Sequence, residues 1–138
     1  GESLWIFSQS GINSLGIEAA LAAQARGVKT VAWSSLVHSQ SQKSRHASGK
    51  RLFEICDHVV DLGGEVGDAA ITIREGVKAG PLSSVTSIFL AHCVLTEICR
   101  KLETQGTQCV YTSVNTAEGE KRNQKLEELA RQRDPLLR

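Results

Sequence analysis

The residues best suited to do chemistry stand together near the start of the chain: Ser8, Gln9, Ser10, Gly11 and Asn13, in the run IFSQSGIN. The apolar residues before them read as a buried strand and those after them as a helix, so the turn joins a strand to a helix. A helix N-terminus presents unpaired N–H groups and the positive end of the helix dipole, which together suit phosphate. Ser8 and Ser10 add hydroxyl donors, Gln9 and Asn13 add amide donors, and Gly11 lets the backbone come close. Each hydrogen bond to a charged group contributes about 1.5–3 kcal/mol, so a handful of them hold a phosphate without a lysine in the loop. The alternative is a plain Ser/Asn-capped helix start. No Gly-Lys-Ser/Thr follows, so the turn is not a Walker loop.

Other candidates fall in loops. His46, in SRHASGK, lies among Ser, Arg and Gly, which fits acid–base or sugar-handling work, or else a solvated or capping histidine. Lys50 and Arg51 fall in the first turn of a short helix that Ser48 can cap. Cations there oppose the dipole by about 0.3–1 kcal/mol each, so they face either an anion or solvent. Glu65 in GGEVGD and Glu75 in REGVKAG are loop carboxylates at strand ends, able to take a proton beside a carbonyl or to remain ordinary solvated acids. Ser83 and Ser84, with Thr86, open a long helix as a second anion seat or as plain caps. His58 and His92 read as structural.

Composition bounds what these residues can serve. The 138 residues carry 16 Lys and Arg against 15 Asp and Glu, so bulk charge draws the chain neither to nucleic acid nor to a membrane surface. No stretch reaches the roughly 18 uninterrupted apolar residues of a membrane helix, and no signal-peptide pattern opens the sequence. The four cysteines, Cys56, Cys93, Cys99 and Cys109, lack Cys-x-x-Cys spacing and a nearby His pair. That argues against a metal site or a disulfide framework and for a reducing cytoplasm. The length suits one domain with a real core, residues 1–138, with a helical extension over 115–138. The start at Gly1 and the absence of methionine read as a fragment whose N-terminal portion is missing.

The elements that must position the candidates follow in order. Ser3–Phe7 is a strand, Ser14–Arg26 a helix stopped by Gly27, and Lys29–Trp33 a second strand. Leu36–Ala47 is polar and loop-like, and a short helix runs from Ser48 to about Cys56. His58–Asp61 gives a third strand. Gly63, Gly64 and Gly67 mark a flexible turn, and Ala69–Ile73 is a fourth strand. Ser84–Thr104 is the longest helix and apolar nearly all round, so it is central or lies at a subunit interface. Cys109–Val114 is extended, and Glu118–Arg133 is a charged helix. Alternation of strand and helix predicts an α/β fold, a parallel sheet flanked by helices in a three-layer sandwich.

SQSGIN after an apolar strand, followed by IEAALAAQARGVKTVAWSS, resembles the sugar-isomerase (SIS) domain family. SRHASGKRLFEICDHVVD and KAGPLSSVTSIFLAH are similar to a SIS subgroup described as phosphosugar isomerases, and VKAGPLSSVT also to N-acetylmuramic acid 6-phosphate etherases. The resemblance implies a flavodoxin-like topology, a phosphate held at Ser8–Asn13, and a sugar-facing set that takes in Ser34, Ser35, Ser83, Ser84 and Lys50. It also brings Asn115, Glu118 and Asn123 toward a neighbouring site. The expected function is binding of a sugar phosphate and its aldose–ketose isomerisation, with His46, Glu65 or Glu75 moving the proton and no cofactor. An etherase-type lyase and a non-enzymatic phosphosugar sensor are the alternatives. The expected partners are the sugar phosphate and further copies of the chain, as a homodimer or homotetramer, with neither membrane nor nucleic acid.

Overall fold

β1 (Ser3–Phe7), β2 (Lys29–Ser34) and β3 (His58–Asp61) form a three-stranded parallel sheet in the order β1-β2-β3. The register runs from Ser3 opposite Lys29 to Phe7 opposite Trp33, and from Val31 opposite His58 to Ser34 opposite Asp61. The computed structural model describes residues 2–116 and 118–134, and the chain divides into two compact units, 1–91 and 92–138. The protein is therefore mixed α/β with a parallel sheet, as its alternating pattern predicts.

Side chains alternate across a strand, so each face of the sheet has its own packing. On one face Ala32 meets Ile17 and Ala20 of α1 (Ser14–Gln24) and Leu52 from a single 3-10 turn (Leu52–Glu54), with Ile6, Ile55 and Cys56 packed around them. On the other, Trp33 is fully buried, its ring centroid 5.0 Å from that of Trp5 and 4.9 Å from that of Phe7. Offset aromatic pairs at such spacing add about 0.5–1.5 kcal/mol beyond burial.

A polar network fixes the start of the sheet. The Asp57 carboxylate accepts from Lys29 Nζ at 2.7 Å and from both the amide and the hydroxyl of Thr30 at 2.9 Å. The Lys29 ammonium, followed by the two Thr30 donors, holds the Asp57 carboxyl well below the usual carboxylate range.

Several elements differ from the sequence reading. The polar stretch after β2 contains a helix, α2 (Leu36–Ser41), because the Ser35 hydroxyl accepts from the His38 amide and caps it. The expected helix from Ser48 shrinks to the 3-10 turn. Gly49 at φ +71° interrupts it, and Ser48 Oγ accepts from the Lys50 amide instead. Arg51 precedes that turn, where the Glu54 carboxylate accepts from its amide and from Nε, both at 2.8 Å. The fourth strand forms as β4 (Ala69–Arg74), but it pairs antiparallel with an unforeseen β5 (Val77–Pro81). Gly76 at φ +71° makes that reversal, and the two strands form a sheet of their own.

The long helix, α3 (Leu82–Thr104), begins in the first unit and ends in the second, and none of its residues is fully buried. By length and composition alone it is apolar enough to cross a membrane, although core helices meet the same criterion. In the second unit, α4 (Gly119–Arg133) carries Asn123, which is buried. Its amide pairs with one residue of the preceding segment, donating to the Thr112 carbonyl at 2.6 Å and accepting from the Thr112 amide at 2.8 Å. Cys109–Val114 thus has a side chain, rather than a ladder among the described residues, holding its backbone.

Candidate functional site

The carboxyl ends of adjacent parallel strands are where an open sheet collects its ligands. Here the Ser8 amide continues the β1–β2 ladder onto Trp33 O at 2.9 Å, and the Ser35 amide donates to Gln9 O at 3.0 Å. Leu62, just past β3, donates to Ser34 O at 3.0 Å. These bonds bring the two serine-rich segments and the start of the glycine segment side by side at one end of the sheet.

The turn itself is fastened by its carbonyls. Gly11 O accepts from the Leu52 amide at 2.8 Å and Ile12 O from the Arg45 amide at 2.9 Å. The Gly11 amide donates to Ser8 Oγ at 3.2 Å, and Gly11 lies at φ +59°, a conformation that other residues adopt only with strain. A Cβ at Gly11 would stand 3.1 Å from Ser34 Oγ, 3.2 Å from Leu52 Cβ and 3.4 Å from Ser39 Oγ. Ser34 and Ser39 are fully buried, and their hydroxyl oxygens have no hydrogen-bond partner among the described residues. They close the space over Gly11. Ser34 therefore shapes the turn from behind, and Ser35, also fully buried, caps α2.

What the turn offers outward is the start of α1. Asn13 is the N-cap residue, yet its side chain makes no capping bond. Its Oδ1 accepts instead from Arg45 Nη1 at 3.2 Å, and Ser14 Oγ donates to Arg45 O at 3.2 Å. An uncapped helix start beside a guanidinium is electropositive. No sequence signal marks Arg45, one of several basic residues near His46; only the fold carries residues 44–46 along the turn.

His46 is more tightly held than a loop histidine. Its Nε2 lies 2.7 Å from Glu18 Oε1 on α1 and its Nδ1 2.8 Å from Ser48 Oγ. Its side chain is only 11% exposed, so the ring ties the loop to α1. His46 is thus neither solvated nor merely a cap, and loss of these bonds costs about 1 kcal/mol or more.

The remaining candidates scatter. Glu65 is exposed, with Lys78 Nζ at 3.4 Å, and lines a pocket of about 70 Å³ with Gly67, Asp68, Ala69, Ala70 and Leu82. Glu75 stands exposed in the turn between β4 and β5, and Lys50 is exposed after Gly49. Ser83 turns both its amide and its hydroxyl to Asp68, at 2.7 and 2.8 Å. A carboxylate of the chain itself thus meets the start of α3, where the serines suggested a phosphate. Ser84 beside it is exposed. Asn115 and Glu118 are exposed, whereas Asn123 is the buried clamp of the second unit.

A shallow cavity of about 510 Å³ is lined by Gln40, Ser41, Gln42, Lys43, Ser44, Gly49 and Arg51. Its Ser44 wall immediately precedes Arg45. The Arg51 guanidinium is already engaged by Glu54 and lies 4.9 Å over the Phe53 ring. Among the described residues no group of His, Cys, Asp and Glu side chains is arranged to hold a metal ion.

No family model matches the chain. It is similar to UPF0309 proteins of several bacteria. With that of Shouchella clausii it shares 36% identity over 130 residues, 93% of this chain and 53% of the relative. With that of Oceanobacillus iheyensis it shares 36% over 128 residues, 91% and 52% of the two chains. With that of Geobacillus thermodenitrificans it shares 36% over 135 residues, 96% and 54%. The chain spans about half the length of the curated relatives it matches.

Proposed function

We propose that the chain is the phosphosugar-binding part of a sugar-isomerase-type protein, with the phosphate at Ser8–Asn13 and an aldose–ketose isomerisation as its reaction. The observation that carries this reading is the uncapped start of α1 at the carboxyl end of the sheet, with Arg45 beside it. The three parallel strands support the flavodoxin-like, three-layer arrangement that the resemblance implies. Ser10 and the first amides of α1 supply donors, and Arg45 supplies the charge that the turn lacks.

Isomerisation needs one proton taken from the carbon beside the carbonyl and returned to the neighbouring carbon, through an enediol, with no redox change. Glu65 is the better placed of the two loop carboxylates for that transfer, because its segment is bonded to the turn through Gly67. His46, already bonded to Glu18, serves the site by holding the 44–46 segment. A cytoplasmic setting accords with the four free thiols, and the exposed apolar side of α3 supports association of two or four copies.

Titration with a panel of hexose and heptose phosphates, followed by backbone amide shifts, tests the site. The amides of Ser10 to Gly16 should move first. If they stay still while other residues respond, the assignment is wrong. Incorporation of solvent deuterium at the carbon beside the sugar carbonyl tests the reaction. Binding without exchange would favour a sensor, and release of a C3 substituent would favour the lyase.

A further inference from the structure

The glycine segment after β3 is held at one residue, Gly67, by α2 through its amide and by the serine turn through its carbonyl. The Gly67 amide donates to Nδ1 of His38 at 3.0 Å, and the Gly67 carbonyl accepts from Nε2 of Gln9 at 3.4 Å. Gly67 lies at φ +99°, where only glycine is unstrained, so the chain is bent specifically to present both groups. His38 is itself anchored, because its amide donates to Ser35 Oγ at the start of α2. A backbone N–H can only donate, so Nδ1 is the acceptor and the neutral ring carries its proton on Nε2. The orientation of Gln9 follows in turn: facing a carbonyl, its amide must present nitrogen, which leaves Oε1 buried and without a partner among the described residues. One residue further, Asp68 meets the start of α3 through Ser83. Gly67, whose amide His38 accepts from, is therefore the residue at which the Glu65–Asp68 segment meets the turn.

From this chain of contacts we infer that His38 is a positioning residue: by accepting from the Gly67 amide it fixes Gly67, whose carbonyl in the next peptide sets the Gln9 amide within the serine turn and keeps the Glu65 segment beside it. The role in ligand binding rests on the phosphosugar reading; the holding of Gly67 does not. No sequence signal marks His38, since a histidine in SSLVHS reads as loop.

The test compares His38→Ala with His38→Asn, whose Oδ1 restores an acceptor near the place of Nδ1, each alone and with Gln9→Ala. Two readouts are taken: hydrogen exchange at the Gly67 amide, and affinity for inorganic phosphate and glucose 6-phosphate. Loss of one neutral hydrogen bond corresponds to about a twofold to tenfold change, so His38→Ala should speed Gly67 exchange and weaken glucose 6-phosphate by about that factor. His38→Asn should restore much of both. In the Gln9→Ala background His38→Ala should have little further effect on affinity, because coupled residues are not additive. Unchanged Gly67 exchange in His38→Ala overturns the inference. So does an equal affinity loss with and without Gln9. If the wild type binds neither probe, the phosphosugar reading fails, and Gly67 exchange together with the Gln9 side-chain amide resonance still decides whether His38 positions them.

Discussion

Gly11→Ala is the substitution whose cost can be worked most directly from the geometry. A non-glycine residue at φ +59° loses about 1–2 kcal/mol to the left-handed conformation. The added methyl would also stand 3.1 Å from Ser34 Oγ and 3.2 Å from Leu52 Cβ. Neither neighbour is the free end of a flexible chain, and both residues are buried, so the clash adds about 1–3 kcal/mol of overpacking. The sum is about 2–5 kcal/mol, a large part of the roughly 5–15 kcal/mol that stabilises an ordinary domain. Gly27 supplies the control: it lies at φ +74° with nothing within 4 Å of its Cβ position, so Gly27→Ala pays the conformational part alone. Urea unfolding followed by tryptophan fluorescence reports the first unit, since both tryptophans, Trp5 and Trp33, lie there. At a slope of about 2 kcal/mol per molar urea, the middle of the usual range, Gly11→Ala should lower the midpoint by about 1–2.5 M, and Gly27→Ala by clearly less. If the two variants agree within about 0.5 kcal/mol, packing against Ser34 and Leu52 contributes nothing and the reasoning fails.

Acid should destabilise the sheet through Asp57: its carboxyl is depressed in the folded state, so its contribution is present above the unfolded value of about 4 and is lost as pH falls below it. Asp57→Asn should flatten the dependence of melting temperature on pH below about 4, and an unchanged acid slope would remove Asp57 from the account. In the second unit, Asn123→Ala leaves both backbone groups of Thr112 without their partner, at a cost of about 1–3 kcal/mol. The Thr112 amide should then exchange faster with solvent; protection equal to wild type would show that the clamp is dispensable. Val85, Ile88 and Phe89 of α3 are 67%, 63% and 66% exposed, and this apolar ladder should make sedimentation depend on concentration. Ile88→Lys should restore a single slow species, whereas a wild type that stays monomeric throughout would refute the association.

The parallel sheet was legible because apolar runs of strand length, separated by one clear helix and punctuated by Gly27, leave few other arrangements. The turn was legible for the same local reason, as small donor-rich residues between a strand and a helix. Elements decided by side-chain bonds across the chain were not. α2 depends on a serine cap hidden in a polar stretch, and the Ser48 helix is cut short by one glycine conformation. The antiparallel partner of β4 reads as loop, because VKAGP holds a glycine and a proline where a strand normally has bulky residues. Arg45, His38 and Asp68 gain their places only from contacts 15 to 32 residues apart in sequence. Ser34, Ser35 and Asn123, read as ligand-facing, are instead buried and structural, because a hydroxyl or amide looks the same in sequence whether it faces a sugar or a backbone.

Among the described residues β1 pairs on one side alone, with β2. Proteins blunt such edges with lysine, proline or a bulge, and SLWIF contains neither lysine nor proline and pairs with β2 in unbroken register. Short, uncharged segments rich in β-forming residues are also those that stack into ordered aggregates. In samples of these 138 residues alone, concentrated or heated, self-templated growth should therefore start at Ser3–Phe7, ahead of β3, whose His58 and Asp61 break any apolar surface. A lysine at Ser3, outside the aromatic cluster, is the change that would lengthen shelf life without touching the turn.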